Sequence, residues 1–178
     1  MSHSNHNLLP AFGIEAASDL LSSLRSCREL APYILPDLWI RPDQHSAISA
    51  LCSHSGISIV VSRGLDSLPA AGQQKQGGLI NIGLIVYVFQ SSTSFNPALY
   101  ALREQIWLTV CKYVAAWAFS PSPTQKPIRA IQTDTASVDL SGIAPDFADK
   151  VWADALLIDG PLQLSPNSLG VCNAHVNG

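Results

Sequence analysis

Six aspartates, Asp134, Asp139, Asp146, Asp149, Asp154 and Asp159, crowd the last third of this 178-residue chain. Paired carboxylates can move protons or hold magnesium, but these spacings follow no ion-binding loop, so turns and solvated strand edges account for them. Asp159-Gly160-Pro161 itself reads as a turn. His45 and His54 stand nine residues apart, whereas two imidazoles aimed at one metal from a helix need i, i+4 spacing. The cysteines Cys27, Cys52, Cys111 and Cys172 form neither the close pairs of a zinc site nor a dense disulfide framework. Cys27 and Cys111 fall in helical patterns, where a thiol acts as a small apolar side chain in a reduced setting. Gly72 to Gly78 holds glycines and Lys75 but no hydroxyl residue and no strand-to-helix setting, so it reads as a hairpin tip, not a phosphate cradle. No G-x-S-x-G nucleophile turn occurs. Of the four tryptophans, Trp107 and Trp117 follow a helical pattern toward packing surfaces, and Trp39, set among prolines, is the candidate exposed anchor at a partner boundary. No catalytic residue, cofactor or metal site is expected.

Composition points the same way. Hydrophobic residues make up 47% of the chain and charged ones 13%, about half the roughly 25% usual in soluble domains. Much of the surface is therefore uncharged, which suits a protein partly covered by neighbours. A net charge of −3 and a pI near 5.9 give no general attraction to phosphate, and no local basic stripe supplies one. The charge is uneven. Residues 1–60 hold three basic and five acidic side chains, 61–130 six and two, and 131–178 one and six. Such opposite segments can neutralise one another inside one fold or meet across a subunit boundary. No apolar run is long enough to span a membrane as a helix.

The elements follow from periodicity. Residues 1–12 are expected to be a mobile polar arm without the order of a signal peptide, 13–164 one domain, and 165–178 a tail. Leu20, Leu21, Leu24 and Cys27 recur at helical spacing between Gly13 and Leu30. A short helix from Pro42 to His54 is closed by Gly56, and Ile57 to Ser62 makes a strand. Leu79 to Gln90 places Ile80, Ile82, Leu84, Val86 and Val88 on one face and Leu79, Ile85, Tyr87 and Phe89 on the other. A strand apolar on both faces belongs in the middle of a sheet, or has one face on a partner. Asn96 and Pro97 open a long helix, with Leu99, Leu102, Ile106, Val110, Tyr113, Val114 and Trp117 on one side. Trp107, Leu108, Cys111, Ala115 and Ala118 make a second apolar line, which predicts a helix sandwiched between layers, with Arg103, Glu104 and Lys112 on its narrow wet side. Pro127–Leu140 and Val151–Leu164 read as two more strands. The fold class is α+β: a mostly antiparallel sheet of about four or more strands with helices packed on one face.

This order of elements, with a strand ending Val60-Val61-Ser62-Arg63-Gly64 and a polar loop before the long strand, resembles the tail terminator proteins of tailed phages, including the minor tail protein U type. The likeness covers residues 13–164 and rests on arrangement, not signature residues. It implies a virion subunit, made in the host cytoplasm, that forms a ring, typically a hexamer. Such a ring stops the tail tube protein from polymerising further and presents a surface to a neck or head-completion protein, while DNA passes through the lumen unbound. On that reading Gln73, Gln74, Lys75 and Gln76 reach a neighbour or the channel, and the acidic last third, including Asp146 and Asp149, in part lines the lumen. The helical segment near 43–54, the Pro-rich stretch 31–42 and the tail after Ser165 depart from the pattern. Other readings stay open: a different neck or head-completion subunit, a small-molecule or peptide-binding module framed by tryptophans, and, third, a hydrolase.

Overall fold

A strand that is apolar on both faces must be covered on both, and the stretch Gly78–Ser91 sets the architecture for that reason. In the computed structural model, residues 11–36, 56–68, 78–91, 96–119, 132–137 and 151–163 are described. They form helix α1 (Phe12–Arg25), a single 3-10 turn (Ala31–Tyr33), strand β1 (Ile57–Arg63), strand β2 (Gly78–Ser91), helix α2 (Pro97–Phe119), strand β3 (Gln132–Ser137) and strand β4 (Val151–Gln163). The four strands make one sheet in the order β1-β2-β4-β3, and every neighbouring pair is antiparallel. β2 is central, as its two apolar faces require. The expected α+β class, with helices on one face of an antiparallel sheet, is what the chain adopts.

Register decides which side chains meet. Val61 pairs with Val86 and Val86 with Leu156, while Leu84 pairs with Ile158. These residues, with Ile57, Ile59, Ile82 and Val88, face the two helices in one core. α1 contributes Ala16, Ala17, Leu20, Leu21 and Leu24, and α2 contributes Ile106, Val110, Val114 and Trp117. The Trp117 indole N–H donates to Asp19 Oδ2 at 2.7 Å and pins the two helices together. On the other sheet face Val60, Tyr87, Phe89, Ala153 and Ala155 are also buried within the protomer, with the Tyr87 and Phe89 rings stacked at 5.5 Å between centroids.

α2 begins where its sequence says it should. Asn96 Oδ1 accepts the backbone N–H of Ala98 at 3.1 Å and of Leu99 at 3.3 Å, satisfying two donors that the first turn leaves free. Pro97, which has no N–H to satisfy, takes the first helical position. Gly56 precedes β1 at φ +84, a left-handed conformation that glycine adopts without strain.

Four expectations are corrected. α1 stops at Arg25, five residues before Leu30; the ladder tightens at Ser26, whose N–H is shared between the Ser22 and Ser23 carbonyls, and Cys27 and Leu30 reach the core from i→i−3 turns instead. Asp159-Gly160-Pro161 is not a turn but part of β4, pairing with Gly83, Ile82 and Asn81. Pro161 is tolerated there because the register with β2 shifts between Gly78 and Asn81. The second apolar line of α2 is not sandwiched among the described residues, since Leu108 is 61% exposed and Ala115 is also exposed. Arg103, placed on the wet side by pattern, is buried. The expected short helix at 42–54 lies outside the described residues.

Replacing the cap by Asn96→Ala should lower stability by about 1 kcal/mol, read as a shift of the urea midpoint with an unchanged slope.

Candidate functional site

Besides Ile14 and Leu108 on the helices, the large apolar side chains exposed among the described residues lie at two ends of the sheet. At the end where β2 finishes and β4 begins, Gln90 pairs with Trp152 and Val88 with Asp154, so Trp152 and Asp154 point to the helix side beside the first turns of α2. Arg103 of α2 is ion-paired to Asp154, a contact between residues far apart in sequence that fixes α2 on β4. Tyr100 lies one turn earlier and meets the Trp152 ring edge-on at 5.8 Å. The guanidinium carbon sits 6.0 Å from the centroid of each ring, within reach of cation–π attraction. Burial pushes the Arg103 pKa down, with the nearby Tyr100 acting the other way. Trp152 is nonetheless 49% exposed and Tyr100 43%. Beneath them, Arg103 Nε and Gln90 Oε1 have no hydrogen-bond partner among the described residues. The result is an aromatic patch braced from below by a buried cation.

At the opposite end, the chain leaving β1 folds back across β2. Gly64 N–H donates to Gly83 O at 2.9 Å, and Ser67 and Asn81 exchange both backbone hydrogen bonds at 3.0 and 2.8 Å. The extra residue is accommodated at Gly83, where any Cβ would collide with the Leu65 carbonyl oxygen. Arg63 clamps the crossing: its guanidinium donates to both Asp66 carboxylate oxygens at 2.8 and 2.9 Å and to Gly83 O at 2.6 Å. Gly83 N–H donates to Asp66 Oδ1 at 3.2 Å. A side chain at Gly13 would occupy the place of the Arg63 guanidinium, so the start of α1 rests on the same clamp. Held in this way, Leu65 is 94% exposed and Leu68 82%.

A third group joins the ends of the two helices. The Cys27 thiol donates to Glu29 Oε2 at 3.1 Å. That hydrogen bond, followed by Glu29's own backbone and Lys112, holds the Glu29 carboxyl below its ordinary range despite an opposing desolvation. Tyr113 is pushed up, first by its hydrogen bond to Cys27. Cys111, on α2, is pushed up by burial, which favours the unreactive thiol.

The residues expected to make contacts, Trp39, Gln73, Gln74, Lys75, Gln76, Asp146 and Asp149, all lie outside the described residues. His45 and His54 lie there too. Of the aspartates, Asp154 is drawn into the ion pair with Arg103. The exposed tryptophan among the described residues is Trp152, which sequence reasoning passed over. Its signal was present: alternation in β4 puts Trp152 on the face of Asp154, Leu156 and Ile158, at the strand's start. Among the described residues no group of His, Cys, Asp or Glu can hold a metal ion, and no helix is long and apolar enough to cross a membrane.

No family model and no curated protein matches the chain. Among solved structures, the sheath/tube terminator of an extracellular contractile injection system, PVC, in its extended state, is similar at a TM-score of 0.32 and 12% sequence identity. The alignment covers 90% of this chain and 60% of that one. A superposition this loose carries no argument about what the chain does.

Two measurements test these arrangements. Asp154→Ala leaves the Arg103 cation buried without its partner and should destabilise the fold by roughly 3 kcal/mol, read by chemical denaturation. Glu29, whose folded pKa is depressed, stabilises the fold above its unfolded pKa and loses that contribution as pH falls through the folded value. The stability gap between wild type and Glu29→Gln should therefore be widest near neutral pH and close on acidification.

Proposed function

We propose that this protein is a structural subunit of a phage tail, not an enzyme: it forms the terminator ring at the head-proximal end of the tail and joins the tail to the neck. The observation that carries the assembly part of this reading is the exposure of large apolar side chains at both ends of one sheet, Leu65 and Leu68 at one and Tyr100 and Trp152 at the other. Single exposed leucines are ordinary on protein surfaces, whereas contiguous apolar patches mark contact sites. Ring closure repeats one heterologous contact by rotation and needs two different patches on each subunit, a condition that two unlike ends meet. The tail assignment rests on the element order, a helix, a hairpin of two strands, a long helix and a second hairpin, which resembles that of tail terminators.

On this reading the partners are other copies of the chain, in a ring of about six by the resemblance, together with the tail tube protein and a neck or head-completion protein. Gln73, Gln74, Lys75 and Gln76 reach a neighbouring subunit or the channel. The acidic last third, with Asp146 and Asp149, in part faces a lumen where like charge keeps passing DNA from sticking. Trp39 anchors a partner boundary. A related neck subunit would share this chemistry and differ in which proteins it joins.

Light scattering coupled to size-exclusion chromatography tests the reading. The expected result is one discrete multimer, seen as a ring by negative-stain microscopy. A stable monomer at all concentrations, with a melting temperature that rises with added small molecules or peptides, would instead favour a binding module.

A further inference from the structure

We propose that the chain leaving β1 has two registers on β2, one that displays Leu65 to solvent and one that draws it in beside Ile82, and that Asp66 holds it in the first. This inference concerns the protomer alone and stands whatever the chain assembles with.

The described register contains a one-residue bulge. Arg63 pairs with Leu84 and Ser67 with Asn81, so three residues of the outgoing chain stand against two of β2. Up to Arg63 the ladder is regular, and alternation sends Ile57, Ile59 and Val61 to the helix-side core. Continued without the extra residue, that ladder sets Gly64 against Gly83, Leu65 against Ile82 and Asp66 against Asn81. Leu65 then extends the apolar row of Ile57, Ile59 and Val61, next to the buried Ile82. The bulge turns it into water instead.

The hydrogen bonds at Gly83 show what decides between the two. In a regular antiparallel ladder of this phase, Gly64 and Gly83 exchange both backbone hydrogen bonds. Here Gly64 N–H donates to Gly83 O, but Gly83 N–H donates to Asp66 Oδ1. The Asp66 carboxylate stands in for the Gly64 carbonyl, so the bulge leaves no unpaired amide at Gly83. Asp66 also binds Arg63, whose guanidinium donates to Gly83 O. That ion pair is incompatible with a regular strand, where residues three apart point to opposite faces. The registers therefore exclude one another, and each supplies Gly83 N–H with an acceptor. One keeps the ion pair and leaves Leu65 in water; the other buries Leu65 and releases both charges to solvent. Gly83 permits the first, because any Cβ there would collide with the Leu65 carbonyl oxygen. A contact that covers Leu65 selects the bulged register, since only that register presents the side chain.

NMR of the full chain with labelled methyl groups tests this. In wild type, Asn81 should pair with Ser67, and the Leu65 methyls should show no contact with Ile82. Asp66→Ala removes both the acceptor and the ion pair and should make the withdrawn register the major one. Leu65–Ile82 methyl contacts should then appear, and the cross-strand partner of Asn81 should move from Ser67 to residue 66. Gly83→Ala should produce the same shift with Asp66 in place. Thermal melting establishes that each variant is folded. Folded variants that keep the Ser67–Asn81 pair with Leu65 in water, or that release residues 64–68 from β2 altogether, would overturn the inference. Failure of both variants to fold would overturn it too, because an accessible second register is what lets the protomer survive loss of the first.

Discussion

The fold depends on burying β2 on both sides. Its alternation leaves no polar face, so it is stable only with a strand on each edge and cover on each face. β1 and β4 supply the edges through ladders along most of the strand, and α1 and α2 cover the face that carries Ile82, Leu84, Val86 and Val88. Once β2 is central, β4 must cross beside it and β3 takes the outer position. The link from β2 to β3 then has to pass over β4, and α2 is the element that bridges this gap. The ion pair between Arg103 and Asp154 marks where α2 meets β4.

That ion pair is a place where a charge goes against its pattern. Removing a guanidinium from water is costly, and Coulomb attraction offsets the cost only when the partner is close and the remaining hydrogen-bonding groups are satisfied. Here Asp154 is close, and two aromatic rings flank the cation, yet Arg103 Nε and Gln90 Oε1 remain unmatched among the described residues. The two rings that flank it stand half in water at the end of the sheet.

Periodicity in the sequence is enough to read the two-faced character of β2, the Asn96 cap, the packing of Trp117 and the division into helices on one face of an antiparallel sheet. These are local or depend on a single period. Errors arose where a long-range partner outweighed the local signal. Arg103 looks solvated when α2 is read alone, and it is buried because Asp154 arrives from the far side of a second hairpin. Asp159-Gly160-Pro161 has the composition of a turn, but a register shift opposite Pro161 lets the strand continue through it. Leu65 and Leu68 sit in a segment whose glycines suggest looseness. Nothing local shows that the Arg63–Asp66 pair will meet Gly83 of the next strand, and the tightness of that clamp depends on the missing Cβ of Gly83.

The clamp also explains why the exposure is informative. Leucines on a slack loop can turn toward the surface and reduce their contact with water, and their display then says little about function. Here reciprocal backbone hydrogen bonds, and Arg63 Nη2 held to both Asp66 oxygens, deny the main chain that escape. Burying each of them would contribute about 1.5–3 kcal/mol, and the folded protomer forgoes it. Arg63 could have remained a solvated strand-end side chain, but it is instead committed to the turn that displays them.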